Sequence, residues 1–115
     1  MKYFYNAEIE TALSSLNIPF NYMFYDGSDD TYITYLQEDL EEPLAGDDKV
    51  IGMVQIYDID IYSKGNFIST VKNVIDVMTG AGFTFYPSRC SPDMYERDTK
   101  YYHKTLSFAK ESEGE

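Results

Sequence analysis

Residues 50–83 read VIGMVQIYDIDIYSKGNFISTVKNVIDVMTGAGF: a long apolar run, a short polar exit, and an amphipathic stretch closed by glycines. Within the run, Tyr57, Ile59 and Ile61 alternate with Asp58, Asp60 and Tyr62. That period of two marks a strand with one face in a core and the other toward solvent or an interface. Ser63-Lys64-Gly65-Asn66 breaks the strand. Phe67, Val71, Val74, Ile75 and Met78 then share one face of a helix. Asn66 is its expected N-cap, and Gly80 or Gly82 ends it in a left-handed turn. Phe83-Thr84-Phe85-Tyr86, stopped by Pro87, is the following strand, so the stretch predicts a β-α-β unit.

Upstream, Ile9, Ala12, Leu13 and Leu16 recur at helical spacing and predict a first helix over about residues 6–16, capped by Asn6 and ended by Asn17 and Pro19. Phe20 to Tyr25 and Thr31 to Leu36 are rich in aromatic and β-branched residues around Asp26-Gly27-Ser28-Asp29-Asp30, which predicts an antiparallel hairpin with a long loop. Gln37 to Lys49 gathers six carboxylates around Pro43 and Gly46 and reads as an exposed, mobile acidic loop without the register of a calcium-binding EF-hand. Downstream, Ser88 to Lys100 reads as a second long loop and Tyr101 to Lys110 as the last strand, with Tyr102, Leu106 and Phe108 on one face.

The expectation is one α+β domain over residues 1–110 with a disordered acidic tail at 111–115. Its architecture is a two-layer sandwich: a four- to five-stranded, mostly antiparallel sheet with two helices on one face, in the order α-β-β-β-α-β-β. A chain of 115 residues with 43% hydrophobic content suits one core and not two.

The net charge of −11 argues against the phosphate-neutralising surface that specific nucleic-acid binding requires. A single Cys90 excludes an intramolecular disulfide and a multi-cysteine metal site. No secretory leader and no apolar run long enough to span a membrane is visible, so the expected place of synthesis is the cytoplasm. The 12 Tyr and 7 Phe, with no Trp, give large rings that mostly carry a polar tip, a composition suited to sheet faces and wet interfaces.

Catalytic motifs are missing: there is no glycine-rich phosphate loop, no G-x-S-x-G, no H-E-x-x-H and no C-x-x-C. Asp58 and Asp60 form a pair of carboxylates on one strand face, but with no His or Lys partner in the adjacent sequence they read as surface residues rather than an acid/base site. His103 stands alone in the last strand, as a half-exposed residue or interface contact. Cys90, beside Arg89, lacks a neighbouring His and is a poor nucleophile. No catalytic residue, cofactor or metal site is expected, and the chain is not read as an enzyme.

The order of an N-terminal helix, the Asp-rich loop before Thr31-Tyr32-Ile33-Thr34-Tyr35, the strand Gln55 to Tyr62 running into Ser63-Lys64-Gly65-Asn66, the helix ending Gly80-Ala81-Gly82-Phe83, and the final Tyr101 to Phe108 resembles the tail-completion proteins of siphophages and Gram-positive prophages. These proteins are also called tail terminators or tail-to-head joining proteins. The resemblance spans about Ile9 to Phe108 on short motifs. It implies a non-enzymatic virion protein made in the bacterial cytoplasm and placed at the head-proximal end of the tail. There it assembles with itself as a ring, usually a hexamer, though it can be a monomer in solution. Its partners are the tail tube protein and the head connector or stopper.

A ring needs two different surfaces per subunit. The expected subunit or connector contacts are Asp26, Asp29 and Asp30 in one loop and Arg89, Tyr95 and Arg97 in the other. A bore that passes DNA needs acidic walls, expected from Glu38, Asp39, Glu41, Glu42, Asp47 and Asp48 or from Asp58 and Asp60. The alternative reading, from charge alone, is an acidic protein-binding module, such as a DNA-mimic-like inhibitor of a basic host protein.

Overall fold

The computed structural model describes residues 2–41 and 52–113. Its elements in chain order are α1 (Asn6–Ser14), β1 (Phe20–Tyr22), β2 (Thr31–Glu41), β3 (Gly52–Ser63), α2 (Phe67–Gly80), β4 (Thr84–Phe85), a 3-10 turn (Pro87–Arg89), β5 (Met94–Glu96) and β6 (Tyr101–Glu113). The fold is α+β, with both helices on one face of a six-stranded sheet ordered β1-β2-β3-β6-β4, where β5 also pairs with β6. One more strand is present than the sequence predicts. Met94-Tyr95-Glu96 is too short to signal a strand, and it is held by antiparallel pairing with Tyr101 to His103 across a turn in which Lys100 adopts a left-handed φ of 65°.

β3 is the axis of the molecule. It pairs antiparallel with β2 on one side and along its whole length with β6 on the other. Tyr57, Ile59 and Ile61 point toward the helices and are fully buried, while Asp58, Asp60 and Tyr62 lie half-buried on the opposite face, as the alternation predicts. β4 is antiparallel to β6, so β3 and β4 run the same way with β6 between them. The predicted β-α-β unit is thus a split one.

α1 supplies Ile9, Ala12 and Leu13 to the core, and α2 supplies Thr70, Val74 and Met78. The cap of α1 is Tyr5 rather than Asn6: the Tyr5 N–H is drawn to the Tyr57 hydroxyl at 2.7 Å, and its carbonyl accepts the Ile9 N–H. Asn66 does cap α2, but through its backbone. It sits at a left-handed φ of 55°, and its carbonyl accepts the Thr70 N–H and hydroxyl. Gly82, at φ +96°, is the left-handed residue that closes α2 and delivers Phe83 to the core.

Three expectations are corrected. β1 and β2 are parallel, with Phe20 beside Ile33 and Tyr22 beside Tyr35, and do not form a hairpin. Met23 takes a left-handed φ of 68° and donates its N–H to the Tyr35 carbonyl, which ends β1 after three residues. Residues 24–30 then carry the chain back, so that β2 starts beside the beginning of β1. Second, Gln37 to Glu41 are strand rather than loop: they pair with β3, and Arg89 offsets their charge. Third, β6 continues through Glu111 and Ser112 to Glu113, residues assigned to the tail. Ser112 is buried, donating to the Met53 carbonyl and accepting from the Gln55 amide. Residues 42–49 of the acidic loop and the end of the tail lie outside the described residues.

Because Ile59 is fully buried under both helices, Ile59→Ala should lower unfolding free energy by about 2–5 kcal/mol in urea titrations. Ile68→Ala, at a site 82% exposed on α2, should stay within about 0.5 kcal/mol of the parent.

Candidate functional site

The face of the sheet away from the helices carries the polar chemistry. After Phe85 the chain follows the outer side of β6: the Ser91 hydroxyl accepts the Thr105 N–H at 2.8 Å, Cys90 Sγ accepts the Ser107 N–H at 3.3 Å, and the Arg89 carbonyl accepts the Ser107 hydroxyl. Pinned there, Arg89 extends across β6 and β3 to β2. Its guanidinium donates to Glu38 at 2.8 Å and Glu41 at 3.2 Å and lies 3.6 Å from Asp39. A β-bulge between Gln37 and Asp39 accompanies this crowding of carboxylates around one cation. Asp39 is held below the usual carboxylate range, first by hydrogen bonding with Glu41 and then by the Leu40 N–H.

Asp58 and Asp60 lie on this same face, each opposite a β6 hydroxyl. Asp58 accepts the Ser107 hydroxyl at 2.8 Å; burial pushes its carboxyl above the ordinary value, against the pull of that hydrogen bond. Asp60 accepts the Thr105 hydroxyl and lies 3.0 Å from His103 Nε2. The sequence shows Asp60 no cationic partner because His103 is 43 residues away, and the β3–β6 register brings them together. Thr105 donates its hydroxyl to the Asp60 carboxylate rather than to the His103 imidazole. Among the described residues no cluster of three His, Cys, Asp or Glu is arranged to hold a metal ion, and no helix is long and apolar enough to cross a membrane.

Beside the carboxylates, aromatic rings cross the face from edge to centre. Tyr25 stacks on Tyr32 at 4.6 Å, Tyr32 on Tyr62 at 4.7 Å, and Tyr62 on His103 at 4.0 Å. Burial, and then the Asp60 charge, push the Tyr62 phenol up to about 12. Tyr25 is also raised to about 12, by its hydrogen bond to Asp29. Tyr101 packs edge-on against Tyr32 and donates to the Asp29 carbonyl at 2.6 Å, while the Asp30 carbonyl accepts the Lys64 N–H. The loop at residues 26–30 is thereby fastened to the far end of β6.

The residues singled out from sequence fall into two groups. Glu38, Asp39, Glu41, Asp58 and Asp60 are gathered on the helix-free face, and Arg89 joins them there rather than the loop residues with which it was grouped. Glu42, Asp47 and Asp48 lie outside the described residues. Asp26, Asp29 and Asp30 occupy the exposed loop before β2, while Tyr95 lies on β5 against Tyr102 and Arg97 in the exposed turn after β5. The aromatic stack and the His103–Asp60 pair were not visible in sequence; only the positions of Tyr32, Tyr62 and His103 in their strands hinted at them.

A carboxyl whose folded-state pKa is raised binds more protons folded than unfolded, so its contribution to stability falls as pH rises through the interval between the two values. Asp58→Asn should therefore be more stable than the parent at neutral pH, with the two converging below the ordinary carboxylate range in thermal melts across pH.

No family model matches the chain, and no curated protein matches it in sequence. Among solved structures it is similar to a chain of the virion of native gene transfer agent (GTA) particle, at 16% identity and a TM-score of 0.57, over 92% of this chain and 84% of that one. At that identity the likeness is one of fold, and it extends over nearly all of the α+β architecture described above.

Proposed function

We propose that this chain is a structural, non-enzymatic virion protein of a phage or phage-like particle, and within that class a tail-completion subunit at the head-proximal end of the tail. In this reading it assembles with itself as a ring, a hexamer on the tail, that caps the tail tube and joins it to the head connector. The observation that carries the reading is the fold shared with a virion chain of the gene transfer agent particle over 92% of this chain. The resemblance of the sequence to tail-completion proteins points the same way.

The helix-free face supplies the surface that DNA would pass. Glu38, Asp39, Glu41, Asp58 and Asp60 lie on it with Arg89 as their shared or neighbouring cation, which leaves an excess of negative charge. Such a wall repels phosphate and lets a duplex slide rather than bind. An inhibitor that mimics DNA needs carboxylates free to meet a partner's basic groups. Here three of the five are engaged by the chain's own Arg89, which favours the structural reading.

Electron microscopy of the parent particle, with the chain labelled, should place it as a ring where the tail meets the head; its absence from particles, together with a 1:1 complex with a basic nuclease, would overturn the reading. In assembled particles, Asp39→Lys with Glu41→Lys should slow DNA ejection. Unchanged ejection would remove these residues from the bore.

A further inference from the structure

Where the sheet runs on past the helices as a ribbon of β2, β3 and β6, residues 2–5 cross its helix-side face. Four side chains of that face form one network. Gln55, fully buried, accepts the Tyr57 hydroxyl at 2.7 Å and the Gln37 amide at 3.2 Å through Oε1. Through Nε2 it donates to the Lys2 carbonyl at 2.7 Å and to Ser112 Oγ at 3.3 Å. Gln37 donates to the Tyr3 carbonyl at 2.8 Å, and the Tyr57 hydroxyl accepts the Tyr5 N–H at 2.7 Å. The ribbon thus holds the main chain of residues 2–5 at three points, two carbonyls and one N–H, and does so with side chains.

Little else fastens this segment. Among the described residues, residues 2–4 make no main-chain to main-chain hydrogen bond and pair with no strand. Lys2 reaches Glu8 in an ion pair, but both side chains meet solvent, where such pairs add little. Tyr3 and Phe4 are 51% and 59% exposed, so the two large rings of the segment bury little apolar surface here. A lid fixed by the hydrophobic effect would turn them inward. At the start of α1, Asn6 Oδ1 and Glu8 Oε1 are buried with no hydrogen-bond partner among the described residues, a cost that this arrangement carries.

We propose that residues 2–5 are a hinged clasp, closed in this structure, that lifts off the ribbon as a unit while the core stays folded. The hinge is Tyr5. Its N–H belongs to the clasp and sits on the Tyr57 hydroxyl, whereas its carbonyl belongs to α1 and accepts the Ile9 N–H. Its ring is seated edge-on against Phe83 with Lys110 over it, so rotation about the N–Cα bond of Tyr5 moves the segment and leaves the helix in place. Lifting opens the amides of Gln37 and Gln55 to water and frees Tyr3 and Phe4 together. Because the seat holds main-chain groups, it fixes the path of the segment and not the identity of its side chains. So small an opening belongs to the low-stability end of the molecule, apart from the pairing of β3. The clasp does not rest on the virion reading.

Native-state hydrogen exchange on the full chain, followed by NMR at rising urea below the unfolding transition, tests it. The Tyr5 amide reports the clasp and the Ile59 amide reports the core. Tyr5 should be protected, should exchange faster than Ile59, and should respond little to urea because opening exposes little surface; Ile59 exchange should climb steeply. Gln37→Met and Glu8→Gln each remove one tether and should speed Tyr5 exchange several-fold more than that of Ile59. Phe4→Ala removes an exposed ring and no tether, and should leave Tyr5 exchange as it is. Tyr5 exchange that follows urea as Ile59 does would overturn the clasp, since the segment would then open only with the whole fold. An unprotected Tyr5 amide, or one that responds to Phe4→Ala and not to Gln37→Met, would overturn it as well.

Discussion

The register of β3 between β2 and β6 decides almost every other feature. Because strand side chains alternate, the pairing that sets Ile59 beside Tyr35 and Leu106 under the helices also sets Asp60 beside Thr34 and Thr105 on the opposite face. A slip of one residue would carry the carboxylates into the apolar layer and the isoleucines to water, so the burial of Tyr57, Ile59 and Ile61 fixes the polar face as firmly as the core. Gln55 and Ser112 extend that control past the helices. Their buried hydrogen bonds, with Gln37 and Tyr57 added, hold the end of the ribbon where apolar cover runs out.

That register explains what could be read from the chain alone. The alternation around Asp58 and Asp60 and the stripe of α2 are local periodic signals, and both survive in the fold because the core depends on them. What failed depends on partners distant in sequence. The reversal at Met23 is a backbone angle that no composition announces, and it turns an expected hairpin into a parallel pair. Glu38 to Glu41 read as solvated loop because the cation that makes a strand tolerable there, Arg89, is about fifty residues on. The His103–Asp60 pair was hidden in the same way: each residue was visible, and only the β3–β6 pairing joins them.

The acid excess takes a different form in the structure than the total of −11 suggests. Arg89, His103 and the hydroxyls of Thr105 and Ser107 fall on the helix-free face at the positions where the carboxylates crowd. The face is thus an ordered polar lattice with a surplus of one sign and not a bare charged surface. The surplus charge of such a face is felt over about a Debye length, about 10 Å at moderate salt.

The stack of Tyr25, Tyr32 and Tyr62 has an optical consequence. In a chain of 12 tyrosines and no tryptophan, near-ultraviolet circular dichroism comes mainly from tyrosine pairs held at fixed angles, and the tightest of these lie at the corner where residues 24–30 fold back on the sheet. The spectrum therefore reports on that corner more than on the core beneath the helices. It will lose the Tyr25–Tyr32 contribution when the returning loop detaches while the Tyr32–Tyr62 contribution persists as long as β2 and β3 remain paired, which lets partial opening at one edge be told apart from unfolding of the whole.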